Sequence, residues 1–196
     1  MIAFSPTTGV KGIFWRMPQY VAFLRAVNVG GHAVVKMTAL RDAFVSAGCK
    51  DVRTFIASGN VVFGVPGKTA PALVEKVHGK LRRLLGKEPD VAYRTVQELE
   101  RLVARAPFKG HEDERGIKLY VAFLSRKPRT RPRFPLEEPK EALEAIGIAG
   151  CDVFIVSRPK KNGFYGFPNN FIEEELGVAA TTRNWSTVTK ILAFAK

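Results

Sequence analysis

Cysteine and histidine are scarce in this chain. Its 196 residues hold two cysteines, Cys49 and Cys151, and three histidines. The cysteines lie far apart, with no CxxC spacing and no Cys/His cluster, which excludes a disulfide framework and a zinc site and leaves two reduced, partly buried thiols. His32, His78 and His111 each stand alone, and no Ser/His/Asp or Cys/His arrangement is legible. His78, in a helix rich in Lys and Arg, reads as solvated. There is no Walker pattern and no GxGxxG fingerprint, and no cofactor is implied. No apolar run approaches the roughly 18 residues of a membrane span. The N-terminus lacks the basic start and apolar core of a signal peptide. A soluble, cytoplasmic protein with no membrane partner is expected. Acidic residues are also few, 18 against 31 Lys and Arg, for a net charge of +13. That balance favours nucleic acid, anionic lipid or phosphorylated ligands, although a basic surface kept for solubility explains it equally.

What is present is organised around Tyr20-Val-Ala-Phe-Leu-Arg-Ala-Val-Asn-Val-Gly-Gly31, a strand running into a glycine loop. Residues 1–16 show no periodicity and read as an N-terminal extension. Met17-Pro18 leads into a strand from Tyr20 to Val27, apolar on both faces until Arg25 and so central in its sheet. A helix follows from Thr38 to Ala47, stopped by Gly48. Strands Val52 to Ala57 and Val61 to Val65 form a hairpin through Ser58-Gly59-Asn60. A helix from Pro71 to Leu85 and a strand from Asp90 to Thr95 complete a βαββαβ order, the ferredoxin-like arrangement. A linking helix over Val96 to Ala106 opens the second half. Then come a strand from Ile117 to Ser125, a basic loop from Arg126 to Arg133 and a helix from Pro139 to Ile146. Strands Asp152 to Ser157 and Gly163 to Phe167, a short helix from Asn169 to Leu176 and a closing helix from Trp185 to Ala195 follow.

Three sequence echoes point to an internal duplication. Tyr20-Val-Ala-Phe-Leu24 returns unchanged at Tyr120-Val-Ala-Phe-Leu124. Ala47-Gly48-Cys49 is matched by Ala149-Gly150-Cys151, and Asn60-Val-Val-Phe-Gly64 by Asn162-Gly-Phe-Tyr-Gly166. The expected fold is α+β, with two related ferredoxin-like β-α-β-β-α units, at 17–95 and 96–196, and an extra C-terminal helix.

A family resemblance rests on Phe23-Leu-Arg-Ala-Val-Asn-Val-Gly-Gly31, Val35-Lys-Met37, Arg53-Thr-Phe-Ile-Ala-Ser-Gly-Asn-Val-Val-Phe63 and Ala180-Thr-Thr-Arg-Asn-Trp-Ser-Thr-Val-Thr-Lys190. Through these motifs the chain, from Met17 to Lys196, is similar to the bacterial family catalogued as domain of unknown function 1697. The resemblance implies a cytoplasmic α+β protein with a ferredoxin-like first part, and it implies no activity. Ala26 stands where that family usually has glycine.

Three constellations carry the candidate site. Arg25, Asn28, Gly30, Gly31 and Lys36 place cations and a glycine pair between a strand end and a helix, where backbone N–H groups turn toward an anion. Ser58-Gly59-Asn60 needs no function as a hairpin turn. In a βαββαβ sheet, however, the first and third strands are antiparallel neighbours, which brings it beside Arg25 to Asn28. Thr181-Thr-Arg-Asn-Trp185 caps and packs the last helix, leaving Arg183 and Asn184 to join the anion-binding set. The expected function is binding of an anionic ligand: a nucleotide, a phosphorylated metabolite or a nucleic acid backbone. The alternatives are an enzyme acting on a phosphorylated small molecule and a protein-interaction module using an exposed sheet. Phe164, Tyr165 and Phe167 after Lys160-Lys161 partly match an RNA-recognition pattern, though core packing serves them as well. The acidic runs Glu112 to Glu114 and Glu173 to Glu175 are candidate metal ligands, more simply read as a solvated loop and a helix face.

Overall fold

The structure, a computed structural model, describes residues 17–28, 34–66, 70–111, 114–128 and 132–196. The first half runs β1 (Gln19–Leu24), α1 (Met37–Ala47), β2 (Lys50–Phe55), β3 (Asn60–Gly64), α2 (Ala70–Leu85) and β4 (Val91–Thr95). Its four strands lie in the order β2-β3-β1-β4, every neighbour antiparallel. Local rules account for these elements. Leu40, Ala43, Phe44 and Ala47 recur at helical spacing on α1 and are buried. Gly48 ends that helix at φ 108, in the left-handed region that glycine enters without strain. Strand β3 is Asn-Val-Val-Phe-Gly, buried at every position as a central strand should be.

Helix α3 (Val96–Ala104) leads to the second half, and a capping box between Thr95 and Glu98 fixes its start. There follow β5 (Lys118–Leu124), β6 (Leu136–Glu138), β7 (Leu143–Ala149), β8 (Asp152–Ser157), α4 (Asn169–Leu176), β9 (Ala180–Asn184) and α5 (Trp185–Ala195). These strands form a second antiparallel sheet, β6-β7-β8-β5-β9.

Three sequence expectations fail here. The segment Pro139 to Ile146 is a turn followed by strand β7, not a helix. Its Glu, Lys, Ala and Leu content favours a helix, but pairing along the whole of β8 overrides that weak propensity. Gly163 to Phe167 forms no strand, only an isolated bridge between Pro159 and Tyr165. The Thr-rich β9, expected as the approach to the last helix, is an edge strand paired with β5. The echoes shift as a result. Tyr20–Leu24 and Tyr120–Leu124 do occupy matching places, on β1 and β5. Ala47-Gly48-Cys49 precedes the edge strand β2, whereas Ala149-Gly150-Cys151 precedes the inner strand β8. Asn60 opens β3, but Asn162 lies in irregular chain.

The sheets stack face to face. Val21, Phe23, Val62 and Ala92 of the first meet Val121, Phe123 and Phe154 of the second, in one cluster closed by residues of α3 and α5. Alternate residues, among them Ala22, Leu24, Val61 and Phe63, face outward under α1 and α2. On the far side Tyr120, Ala122, Leu124 and Ile155 lie under Phe171, Ile172 and Leu176 of α4. Period-two alternation thus supplies two apolar faces per sheet, each covered. At the centre the Phe23 and Phe123 rings stack 4.0 Å apart and 5° from parallel. Strands β3 and β8 are buried along their length, so neither presents an open sheet face. No helix among the described residues is long and apolar enough to cross a membrane.

Candidate functional site

Two arginines hold the ends of the stacked sheets. Arg183, on β9, sits opposite Val121 of β5, and Arg94, on β4, sits opposite Val21 of β1. Each turns its side chain across to the other sheet. Arg183 Nε donates to Asn60 Oδ1 (2.6 Å), and its Nη1 to the Thr182 carbonyl (2.8 Å). Its Nη2 donates to the carbonyls of Leu24 and Ser58 (2.8 Å each) and, at 3.4 Å, of Gly59. Arg94 Nε donates to Asp152 Oδ1 (2.7 Å), its Nη1 to the Tyr93 carbonyl (2.6 Å), and its Nη2 to the carbonyls of Leu124 (3.1 Å) and Cys151 (2.8 Å). The Arg183 guanidinium lies 5.8 Å from the Phe23 ring centre and that of Arg94 5.5 Å from Phe123, so the four side chains form an Arg-Phe-Phe-Arg column.

The cages differ in one atom of consequence. Asp152 gives Arg94 a carboxylate, whereas Asn60 gives Arg183 a neutral amide. With only neutral oxygens around it, burial pushes the Arg183 guanidinium down to about 10. At the other end burial raises the Asp152 carboxyl above its ordinary value, and the attraction of Arg94 offsets this only in part.

Several expected ligand groups prove to be structural. Asn60 also donates through Nδ2 to the Phe55 carbonyl (3.1 Å) and to Ser58 Oγ (3.0 Å), leaving nothing for a ligand. Gly59 needs its φ of 76°, and a Cβ there would lie 3.0 Å from Val27 Cβ. Asn28, at φ 57, staples its loop. Its Nδ2 donates to the carbonyls of Val35 and Ala57 (3.0 Å each), and its Oδ1 accepts from the Val35 amide (2.7 Å). Arg25 is ion-paired with Glu173 at 2.5 Å, and the same carboxylate oxygen accepts from the Ala180 amide. Lys36 is exposed at the N-cap of α1 and is not among the residues lining the groove formed by the remaining candidates. Gly30 and Gly31 lie outside the described residues.

The remaining candidates converge. Arg25, Ser58, Arg183 and Asn184 line one groove of about 500 Å³ between the two sheets' ends. Sequence reasoning missed most of its wall: Ile56, Tyr120, Phe167, Asn169, Asn170 and Thr187. Among the described residues, the side chains of Asn170, Asn184 and Thr187 have no hydrogen-bond partner. Asn169 accepts from the Thr182 hydroxyl (2.5 Å) and keeps its amide nitrogen free. Phe167 is 60% exposed and Ile56 52%, so the groove has an apolar lip. Phe164 is exposed too, which overturns core packing as its use. The signal that went unread was Arg94-Thr95, an arginine and an N-cap residue immediately before a helix, as Arg183-Asn184 is.

Of the lone histidines, His32 lies outside the described residues. His78, expected to be solvated, packs 5.8 Å from the Tyr93 ring with its Nε2 buried and unpartnered. His111 Nδ1 lies 2.6 Å from Glu114. No group of three His, Cys, Asp or Glu side chains is placed to hold a metal among the described residues.

Comparison with known proteins gives two matches of consequence. The family model described as Protein of unknown function (DUF1697) matches residues 17–154. The solved structure of the conserved bacterial protein SP0830 from Streptococcus pneumoniae is 21% identical, with a TM-score of 0.61 over 91% of this chain and 98% of that one. At that identity the likeness shows a shared fold. No curated protein matches the chain.

Proposed function

The chain belongs to the DUF1697 family, and from that premise we propose that it binds a small anionic ligand, a nucleotide or phosphorylated metabolite, in the Arg183 groove. The observation that carries this reading is the Arg183 charge, partly buried at the groove with no carboxylate beside it. Uncompensated charge away from bulk water is costly, and an anion placed over it removes that cost. Asn169, Asn170, Asn184 and Thr187 are free to hydrogen-bond the rest of the ligand, and Phe167 and Ile56 offer a surface for its apolar part. Arg25 joins only if the ligand displaces Glu173.

The same reading takes the two halves as copies of one ferredoxin-like unit. In support, β1, β3 and β4 correspond in sheet position to β5, β8 and β9, α3 corresponds to α5, and the two arginine cages share their geometry. The copies would run from β1 to α3 and from β5 to α5, with β7 in the place of β2 and β6 at the chain position of α1. A cytoplasmic setting accords with Cys49 and Cys151, both free thiols.

The test is thermal shift with nucleotides and phosphorylated metabolites at fixed salt, on the wild type, Asn60→Asp and the double variant Asn170→Ala/Asn184→Ala. Asn60→Asp supplies Arg183 with an internal carboxylate and should weaken ligand binding at least tenfold. The double variant alters only groove-lining amides and should weaken it severalfold. Binding that survives both changes would place the ligand elsewhere.

A further inference from the structure

The opposite end of the stacked sheets carries a second groove, with its charges arranged in the reverse way. It measures about 340 Å³ and is lined by Arg94, Asp152, Glu98, Arg101, Arg105, Lys127 and the turn Ala149-Gly150-Cys151. Here the floor is neutral, because Arg94 and Asp152 pair with each other. The rim is not. Arg101, Arg105 and Lys127 are exposed, and none makes an ion pair or side-chain hydrogen bond among the described residues. The two carboxylates in the groove are already engaged. Asp152 holds Arg94, and Glu98 accepts from the Thr95 amide (2.7 Å) and hydroxyl (3.0 Å) in the capping box.

The arrangement is unfavourable without an occupant. Arg101 in the last turn of α3 and Arg105, its C-cap residue, stand four positions apart, a like-charge spacing that costs a helix end about 0.2–0.5 kcal/mol. The C-terminal end of α3 attracts a cation and so accounts for one of them. It does not account for Lys127, which reaches the same groove from the segment after β5. Gly150 tips the facing turn at φ 65, and a Cβ there would meet nothing within 4 Å, so that wall stays open.

We propose that this groove is a second anion site, taking a phosphate-bearing small molecule between Arg101 and Arg105 on one side and Lys127 on the other. Two guanidinium forks and an ammonium suit a multiply charged phosphate, which the guanidinium groups can hold bidentately. The groove draws on both halves of the chain, so an occupant ties them together. The site is independent of the Arg183 groove, since the two share no lining residue.

Calorimetric titration with inorganic pyrophosphate at fixed low salt tests the proposal. The variants are Arg101→Glu/Arg105→Glu, Lys127→Ala and, as the control for the other groove, Arg25→Ala. All four side chains carry exposed surface, and circular dichroism checks that each variant is folded. The expected result is saturable binding by the wild type and by Arg25→Ala, at least tenfold weaker in the double variant and severalfold weaker in Lys127→Ala. Absence of wild-type binding, or equal binding by the double variant, would overturn the proposal. A short single-stranded oligonucleotide is titrated in parallel. If only the oligonucleotide bound, and the double variant lost it, the small-molecule proposal would be overturned in favour of a nucleic acid backbone.

Discussion

Arg94 and Arg183 solve one structural problem at opposite ends of the molecule. Each crosses from an edge strand to the facing sheet, donates to the carbonyls where a strand turns, and lies on the ring of a central phenylalanine. Arg94 is buried and neutralised by Asp152, and the cations around it, Arg101, Arg105 and Lys127, stay unpaired. Arg183 has only Asn60 and carbonyls around it, while its neighbour Arg25 is the one that is neutralised, by Glu173. A structural guanidinium therefore needs only oxygens in the right directions. Whether those oxygens carry charge decides if the groove outside has spare positive potential at its floor or at its rim.

Removing each guanidinium is the strongest way to break the comparison. Arg94→Met leaves Asp152 buried without its partner and should cost about 3–5 kcal/mol. Arg183→Met leaves only neutral acceptors beside a groove that water enters, and should cost about 1–2 kcal/mol. Urea denaturation of both variants measures the gap. Equal losses would mean that the carboxylate does not distinguish the two cages.

Asp152→Asn makes the first cage resemble the second and should cost about 1–2 kcal/mol at neutral pH, because the amide still accepts from Arg94. It should also change the acid limb of stability. An aspartate whose pKa is raised on folding favours the folded state while it is protonated. Its contribution is full below the ordinary value of 3.8 and is lost as pH rises through the raised value. The variant cannot titrate there, so wild type minus variant should fall with rising pH across that window. A flat difference in paired denaturation series would refute the raised value.

The smallest effect concerns the turn after β1. Ala26 adopts φ 51, a left-handed conformation that costs a residue with a Cβ about 1 kcal/mol. Ala26→Gly should recover part of this, about 0.5 kcal/mol net of the entropy that glycine loses on folding. A small rise in thermal midpoint checks it, and a fall would show that the turn is unstrained.

Much of the first half was legible because its signals are local. Apolar spacing with a terminal glycine marked α1, and Ser58-Gly59-Asn60 between β-branched runs marked the hairpin. The antiparallel β1–β3 pairing then brought Arg25 to the hairpin as expected. Asn60 was placed correctly but given the wrong role, since nothing local shows that its amide is spent on Arg183 and Phe55. Asn169 and Asn170 went unread, and Phe167 was read only as part of an RNA-recognition pattern, because they are ordinary residues at a helix start and in a loop, and only the packing around α4 brings them to the groove. The start of β7 was misread as part of a helix over Pro139 to Ile146 because pairing with β8, a long-range contact, outweighs a small propensity difference.

The sequence by itself determined the α+β class, most elements of the first half, the repeated strand Tyr-Val-Ala-Phe-Leu and the excess of positive charge. These follow from side-chain periodicity, backbone preference and composition, which act within a few residues. Only the tertiary structure decided which of those charges are spent. Arg25, Arg94 and Arg183 are indistinguishable as letters, yet one is held by Glu173, one by Asp152 and one by an amide and carbonyls. The distinction arises because charges are neutralised through space, over a few ångströms, between residues as far as 148 positions apart in the chain.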